Sequence, residues 1–324
     1  MKNIIKTAFA ALIAATAAIL PLSSCSRQQE IVIYSNADEE AKLAMQEALD
    51  RAGYAGQYIL SSFSTSELGG KIMAEGKNTE ADIITASTYY LESAQKEHGM
   101  YRTLEFPVET LTPANPTFAP VTGQEGAIFI NTRTLAANNL PRPQSLKDLA
   151  RPEYKGHISI PNLRSSSTAW LMVQALVHAY GEQEATRILK AIVANAGPHL
   201  ENSGSAPLKK ARAGEVSIAF GLRHQAVADK KSGLPIDYID PTEGNYILTE
   251  SIAVVDKGDK TNPLAMKMTE IIVKEGRQGI RKTYPAPLYK GETSTADAQS
   301  DNIRTFPEPL TVDLLRKHQN LMPH

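Results

Sequence analysis

Cysteine is nearly absent from this chain, because Cys25 is its only cysteine in 324 residues. A single cysteine cannot form an internal disulfide. An excess of charge is also absent, since 34 Lys and Arg stand against 35 Asp and Glu. Near-neutral charge argues against nucleic acid or a polybasic membrane surface as the main partner. With 42% hydrophobic and 21% charged residues, the composition is that of an ordinary globular chain, long enough for two domains.

Sequence patterns of common enzyme and metal sites are missing as well. The chain has neither a Gly-x-Ser-x-Gly nor a His-Glu-x-x-His pattern. Gly69-Gly70-Lys71 lacks the upstream glycine and the following Ser or Thr of a phosphate loop, and the seven histidines show no metal-ligand spacing. We therefore expect no enzyme activity, no cofactor and no metal. A hydrolase that uses Ser165 with a base elsewhere in the chain is the alternative.

The first 25 residues have the layout of an export signal. Lys2 and Lys6 precede an apolar run at 8–20 that is too short to span a bilayer comfortably. Leu22-Ser-Ser-Cys25 resembles the lipobox of bacterial lipoproteins, in which the cysteine is acylated and becomes the new amino terminus. We expect residues 1–24 to be a signal peptide, Cys25 to carry a lipid anchor, and residues 25–30 to be a tether. Ordinary signal cleavage near the same place is the alternative.

The next part of the chain repeats a strand-to-helix unit three times. Residues 31–34, 57–60 and 81–85 are predicted strands, and a helical pattern follows each one. Such a succession predicts a parallel, right-handed α/β sheet, in which ligands bind at the carboxyl ends of the strands. Those ends carry small polar side chains, which are candidate ligand contacts: Ser35, Asn36, Ser64, Thr65, Ser87 and Thr88.

Two later stretches place hydroxyl groups just ahead of a helix. A predicted strand ends at Pro161, and a helix begins near Thr168, with Arg164, Ser165 and Ser166 between them. Ser203 and Ser205 likewise precede a helical pattern at 208–213. The first turn of a helix has unpaired N–H groups and a partial positive charge, which suit an anion. Two such loops predict one shared anionic ligand. The alternative is that a serine caps the helix and Arg164 is simply solvated.

The rest of the chain predicts a second α/β lobe. Prolines at 107, 113, 116 and 120 indicate a crossover, which leads into a strand at 126–131, and a strand at 247–255 returns to the first half. We expect one lobe from residues 31–119 and 248–324 and another from 120–247. The cleft between them would close by a hinge at 120–126 and 249–253.

This layout resembles the type 2 periplasmic solute-binding proteins of ABC importers, in the group that contains ferric-ion binders. The resemblance rests on residues 31–36 and 81–88, Leu146-Lys-Asp-Leu149, Glu153-Tyr-Lys-Gly156, Gly214-Glu215, Gly258 and Asn262-Pro263. It implies a two-lobed fold, each lobe a mixed, mostly parallel sheet flanked by helices. It also implies a monomer in the periplasm, or on the outer face of the cytoplasmic membrane, that delivers its ligand to a permease with a cytoplasmic ATPase.

Within this group, Ser203-Gly-Ser-Ala-Pro207 and Glu243-Gly244 are similar to the branch that binds 2-aminoethylphosphonate and sugar phosphates. The resemblance implies that Ser203 and Ser205 donate to a phosphoryl or phosphonyl group, with Ser165, Ser166 and Thr168 facing it. Where that branch often has Gly-Trp-Asp, this chain has Asn245-Tyr246-Ile247, so Tyr246 is a candidate contact to the rest of the ligand.

Charged residues complete the expected site. Arg164 and Arg223 can each present a planar fork to a phosphoryl group, whereas Asp38 or Glu243 could hold an amine on the same ligand. The other interpretation is a surface ion pair for Arg223 and solvated carboxylates for the two acids. Ferric binders have neighbouring tyrosines where this chain has Arg223-His224, which argues against direct iron coordination. An iron or iron-chelate carrier remains an alternative, as does a surface lipoprotein that contacts only proteins.

Overall fold

The computed structural model describes residues 30–113, 115–294 and 299–323. The expected signal peptide and Cys25 lie outside these ranges. Within them the strands, in chain order, are β1 (Ile31–Ser35), β2 (Tyr58–Ser62), β3 (Ile83–Ser87), β4 (Ala119–Asn131), β5 (Ile158–Pro161), β6 (Leu200–Glu201), β7 (Ile218–Leu222), β8 (Ile236–Ile239), β9 (Asn245–Val254) and β10 (Ile303–Arg304).

The helices, in chain order, are α1 (Glu39–Arg51), α2 (Thr65–Glu75), α3 (Thr88–His98), α4 (Thr132–Ala137), α5 (Thr168–Ala196), α6 (Ala206–Ala213), α7 (Arg223–Lys231), α8 (Pro263–Ile271), α9 (Arg277–Thr283) and α10 (Val312–Gln319). Helix α5 is two helices joined at Gly181, whose φ of 74° is open to glycine without strain. None of the helices in the described ranges is long and apolar enough to cross a membrane.

The strands form one curled sheet in the order β2-β1-β3-β9-β4-β7-β5-β6, with β8 beside β4 and β10 beside β9. β1 pairs in parallel with both β2 and β3. This confirms the parallel sheet predicted for the first three strand-to-helix units. Their helices bury apolar stripes against the sheet, as α1 does with Met45 and Leu49.

Strands β4 and β9 connect two parts of the molecule. The first half of β4 pairs with β9, and its second half pairs with β7 and β8. Gly126 stands at the changeover, where a Cβ atom would meet the Phe220 ring at 2.8 Å and Leu171 at 3.0 Å. We call the part around β1–β3 the first lobe and the part around β5–β8 the second lobe. The two-lobed mixed α/β fold is therefore confirmed, whereas the exact lobe boundaries stay a prediction.

An aromatic cluster lies where the lobes meet. Tyr89 stacks on Tyr90 with ring centroids 4.6 Å apart and meets Trp170 edge-on at 4.9 Å. All three are buried, so the tyrosine pair has a packing role. The C-terminal helix α10 adds to this region, because Trp170 Nε1 donates a hydrogen bond to His318 Nδ1 at 2.7 Å. α10 also contacts α3, so it touches helices of both lobes.

Candidate functional site

A cavity of about 350 Å³ lies between the two lobes. It brings together eight of the hydroxyl and amide residues that the sequence singled out, together with Asp38. The first lobe contributes Asn36, Ser64 and Thr65, and the second contributes Ser165, Ser166, Thr168, Ser203 and Ser205. Loops that are 100 residues or more apart along the chain thus open onto one space. Whether they bind a ligand stays a prediction.

The loop ahead of α5 is held by its own backbone. The Asn162 carbonyl accepts hydrogen bonds from the backbone N–H groups of Ser165 at 3.1 Å and Ser166 at 2.9 Å. Ser166 Oγ in turn accepts from Thr168 N at 3.3 Å. A hydroxyl that accepts in this way still has its proton to donate, so Ser166 can donate into the cavity. By contrast, Ser165 Oγ already donates to the Asn162 carbonyl at 3.2 Å.

The loop ahead of α6 also contains a serine whose hydroxyl accepts a hydrogen bond from a backbone N–H group. Ser203 Oγ accepts from Ala206 N at 3.2 Å, which leaves its proton available. Ser205 occupies the N-cap of α6 but makes no capping hydrogen bond with its side chain. Gly204 lies between them, and a Cβ atom on it would overlap Thr168 Oγ1 and lie 3.1 Å from Ser166 Oγ. The two hydroxyl-bearing loops of the second lobe are therefore in direct contact.

On the first lobe, part of the polar lining is used within the protein. Asn36 Nδ2 donates to Thr65 Oγ1 at 3.0 Å. Ser64 and Glu67 form a capping box at the start of α2, with Glu67 N donating to Ser64 Oγ at 3.3 Å. These bonds fix the positions of the β1–α1 and β2–α2 loops along the cavity wall.

Four acidic residues also line the cavity, and two of them, Asp38 and Glu250, have a raised pKa. Glu250 lies on β9 with 4% exposure, and its Oε2 accepts from Thr122 Oγ1 at 3.0 Å. Burial, reinforced by the charge of Asp38, raises the pKa of Glu250 to about 7. Burial, followed by the charge of Glu40, also raises the pKa of Asp38, which accepts from Tyr284 Oη at 3.3 Å. Within the described residues neither carboxyl forms an ion pair, but the charges of Lys209 and Lys42 partly offset the rise in the pKa of Asp38.

The expectation that Arg223 faces the ligand is wrong. Its Nε and Nη2 donate to the two carboxylate oxygens of Asp240 at 2.8 and 3.1 Å. The guanidinium also lies over the Tyr238 ring at 4.6 Å, and Glu125 is 3.9 Å from Nε. Because the side chain is 4% exposed, its charge must be neutralised inside the protein. Arg223 therefore joins β7 to the loop after β8 and does not line the cavity.

Arg164 is directed away from the cavity as well, so its expected role as an anion-binding fork is also wrong. Its Nη2 donates to the Gln319 carbonyl at 3.3 Å, at the C-terminal end of α10. A cation is favourable at a helix C-terminus, which carries partial negative charge. Arg164 lines a separate groove beside α2, α3 and α10.

Glu243 and Tyr246 also contact other parts of the protein and do not face the cavity. The Glu243 carboxylate accepts from the backbone N–H groups of Leu146 at 2.9 Å and Lys147 at 3.0 Å, and from Tyr180 Oη at 3.0 Å. It therefore satisfies the donors at the start of a short 3₁₀ helix. Tyr246 is 1% exposed and packs edge-on against Phe306. Neither residue lines the cavity.

Three further candidates lie behind the cavity wall. Ser35 Oγ accepts from Thr85 Oγ1 at 2.6 Å, and Ser87 Oγ donates to Ser167 Oγ of the second lobe at 3.4 Å. Thr88 Oγ1 donates to the Thr249 carbonyl at 3.0 Å and lines a different cavity. These hydroxyls support the strand ends and do not form the lining.

Several lining residues escaped the sequence analysis. Lys209 lies one helical turn after Ser205, and that spacing was a usable signal. Gln124 and Glu250 sit on β4 and β9, where a polar side chain in a largely apolar strand marks an unusual position. No group of three or more His, Cys, Asp or Glu suited to a metal ion occurs in the described residues.

Comparisons with known proteins identify the family of the chain. Residues 75–304 match the family model described as "Bacterial extracellular solute-binding protein". An uncharacterised protein of Haemophilus influenzae is 26% identical over 218 residues, which are 64% of this chain and 63% of that protein, so the match spans slightly less than two thirds of the relative.

Solved structures share the fold. AfuA from Actinobacillus pleuropneumoniae, a periplasmic binding protein with fructose-6-phosphate bound, superposes with a TM-score of 0.70 at 20% identity, covering 90% of this chain and 94% of that one. Iron-bound HitA from Pseudomonas aeruginosa gives a TM-score of 0.67 at 18% identity, covering 90% and 98%.

Proposed function

Because the chain belongs to the family of bacterial extracellular solute-binding proteins, we propose that it captures a small phosphonate or phosphate ester between its lobes. Proteins of this family are transport components that bind small ligands and interact with ABC permeases. The loaded protein then delivers the ligand to a permease driven by a cytoplasmic ATPase.

The observation that carries this proposal is the junction of two hydroxyl-rich helix starts in one cavity. Ser166, Ser203 and Ser205 can donate toward a tetrahedral anion, and the starts of α5 and α6 add partial positive charge. Lys209 supplies a full positive charge on the same side. The bound fructose-6-phosphate of AfuA supports the same class of ligand.

Isothermal titration calorimetry with 2-aminoethylphosphonate, glucose 6-phosphate, inorganic phosphate and ferric citrate tests the proposal. We expect one of the first two to bind. The double variant Ser166→Ala/Ser205→Ala should weaken that binding about tenfold to a hundredfold, since two charge-assisted hydrogen bonds are lost. Ser93→Ala is the matched control, because Ser93 Oγ donates within its own helix to the Tyr89 carbonyl.

Other results would contradict the proposal. A heat of binding with ferric citrate alone would favour an iron carrier, and iron-bound HitA has the same fold. No heat with any of these anions would favour a surface lipoprotein that contacts only proteins. Phosphate release from an ester, abolished in Ser165→Ala, would revive the hydrolase.

The lipid anchor is a separate proposal. A lipid on Cys25 would hold the protein at the outer face of the cytoplasmic membrane, beside its permease. Mass spectrometry of the mature amino terminus tests it. We expect an acylated Cys25, and an unacylated terminus beyond Cys25 would contradict the anchor.

A further inference from the structure

The charges that line the cavity do not suit a purely anionic ligand. Four lining residues are acidic (Asp38, Glu39, Glu67 and Glu250) and two are basic (Lys42 and Lys209), so the acidic side chains outnumber the basic ones by two. Lys42 is already 2.8 Å from the Glu39 carboxylate. The two arginines that were expected to neutralise a phosphoryl group bind elsewhere. A ligand with only negative charge would be repelled by this wall.

The charges are also separated in space. The acidic residues lie at the N-cap and first residue of α1, on α2 and on β9, along the first lobe and the crossing strand. The second lobe contributes only hydroxyl groups, Asn202, Gly204 and Lys209, together with the two helix starts. The cavity therefore has a negative side and a donor-rich side, which face each other across a space for one small molecule.

The negative side offers acceptors that suit an ammonium group. Asp38 and Glu250 face the cavity beside Asn36, whose Oδ1 atom is inaccessible to solvent and has no hydrogen-bond partner. A protonated amine has three N–H donors and no acceptor, so it can serve several such oxygens at once. It would also remove the repulsion between the two carboxylates, which only Lys209 and Lys42, near Asp38 but outside ion-pair distance, now offset in part.

We infer that the ligand is a zwitterion, in which a protonated amine held by Asp38 and Glu250 is joined by a short chain to a phosphonate or phosphate group on the second lobe. This inference rests on the proposed function and narrows its ligand class. It separates amino-phosphonates and amino-phosphates from sugar phosphates, whose neutral hydroxyls leave the carboxylates unpaired.

Two probes of nearly equal size test the inference by calorimetry at pH 7.5. 2-Aminoethylphosphonate and n-propylphosphonate differ in an ammonium group against a methyl group. We expect the amine to bind at least tenfold more tightly, because charge-assisted hydrogen bonds are gained. Equal affinities would overturn the inference and leave the phosphonate proposal standing. If neither probe binds, the phosphonate proposal itself fails.

Variants distinguish recognition of the amine from a structural defect. Asp38→Asn and Glu250→Gln should weaken 2-aminoethylphosphonate about tenfold and strengthen n-propylphosphonate, since a repulsive charge is removed. A misfolded cleft would weaken both probes, and such a parallel loss in both variants would overturn the assignment. Glu47→Gln is the control, because Glu47 lies on the exposed face of α1 and does not line the cavity. It should leave both affinities unchanged.

Discussion

At the scale of single residues, Glu250 shows how the site constrains stability. Its carboxyl group is nearly inaccessible to water and lies near a second acid, Asp38. An ionised carboxylate in that position is unfavourable until a cation arrives. The protein thus keeps a destabilising group where a ligand could neutralise it, as binding sites often do.

The pH dependence of stability follows from the raised pKa of Glu250. Its pKa is about 7 in the folded protein against an ordinary 4.5. Between these values the folded state binds more protons than the unfolded state, so this group's stabilising contribution falls as pH rises and is smallest above pH 7. Glu250→Gln should therefore stabilise the ligand-free protein at pH 8 by an amount of order 3 kcal/mol at most, and by little at pH 4.5.

Urea denaturation of wild type and Glu250→Gln at both pH values checks this prediction. The difference in free energy of unfolding should grow from pH 4.5 to pH 8. A constant difference would mean that the variant acts through packing alone.

At the scale of secondary-structure elements, the contact between the loops ahead of α5 and α6 is decisive. Gly204 leaves no room for a side chain beside Thr168 and Ser166. We predict that Gly204→Ala forces these loops apart, destabilises the protein by about 1 to 3 kcal/mol and weakens ligand binding at least tenfold.

Gly70→Ala is the matched substitution, since nothing lies within 4 Å of the added Cβ in the middle of α2. It should be neutral or stabilising by about 0.5 to 1 kcal/mol. Chemical denaturation and calorimetry measure both variants. Ligand affinity that is equal in the two would refute the role of the loop contact.

The attachment of α10 depends on a titratable acceptor. His318 is 2% exposed, and burial lowers its pKa, with Glu182, Lys317 and Glu308 as the charged groups nearby. The unfolded chain takes up the proton first, so stability falls as pH drops below the ordinary value of about 6.5. A protonated Nδ1 cannot accept from Trp170, and losing that bond costs about 1 to 3 kcal/mol.

We therefore predict that acid selectively loosens residues 312–319. Hydrogen exchange of α10 between pH 7 and pH 5, corrected for the intrinsic rate, measures the loosening. His318→Gln keeps an acceptor that does not titrate and should abolish the effect. If α10 loosens equally in that variant, the cause lies with the surrounding carboxylates.

At the scale of the whole molecule, β4 and β9 are the shared strands of the two lobes. A ligand that contacts both lobes should draw them together by bending these strands. At one hundred times its Kd, a ligand adds about 2.7 kcal/mol of stability. For a chain of this size we expect a rise in Tm of about 4 °C.

Thermal unfolding and small-angle X-ray scattering test closure together. The radius of gyration should fall when 2-aminoethylphosphonate is added, and the Ser166→Ala/Ser205→Ala variant should show neither change at the same concentration. A higher Tm without a smaller radius would mean that the ligand binds without closing the cleft.

The local pattern of the chain determined its elements and fold class. Strands and helix ends depend on residues that are neighbours in the chain, so they can be predicted from short stretches of sequence. Examples are the apolar strands β1 and β3, the polar helix starts and the glycine at 181. The serines ahead of α5 and α6 could be singled out for the same reason. Strand-to-helix succession then implied a parallel sheet with polar groups at one edge.

Only the tertiary structure decided which polar groups share the cavity. Arg164 and Arg223 both seemed suited to an anion in sequence. Arg164 instead binds the carbonyl of Gln319, which is far away in the chain, and Arg223 binds Asp240, 17 positions later. Conversely, Asp38 and Glu250 meet at the cavity from opposite ends of the chain. A long charged side chain is directed by partners whose positions depend on packing, and no local pattern specifies those partners.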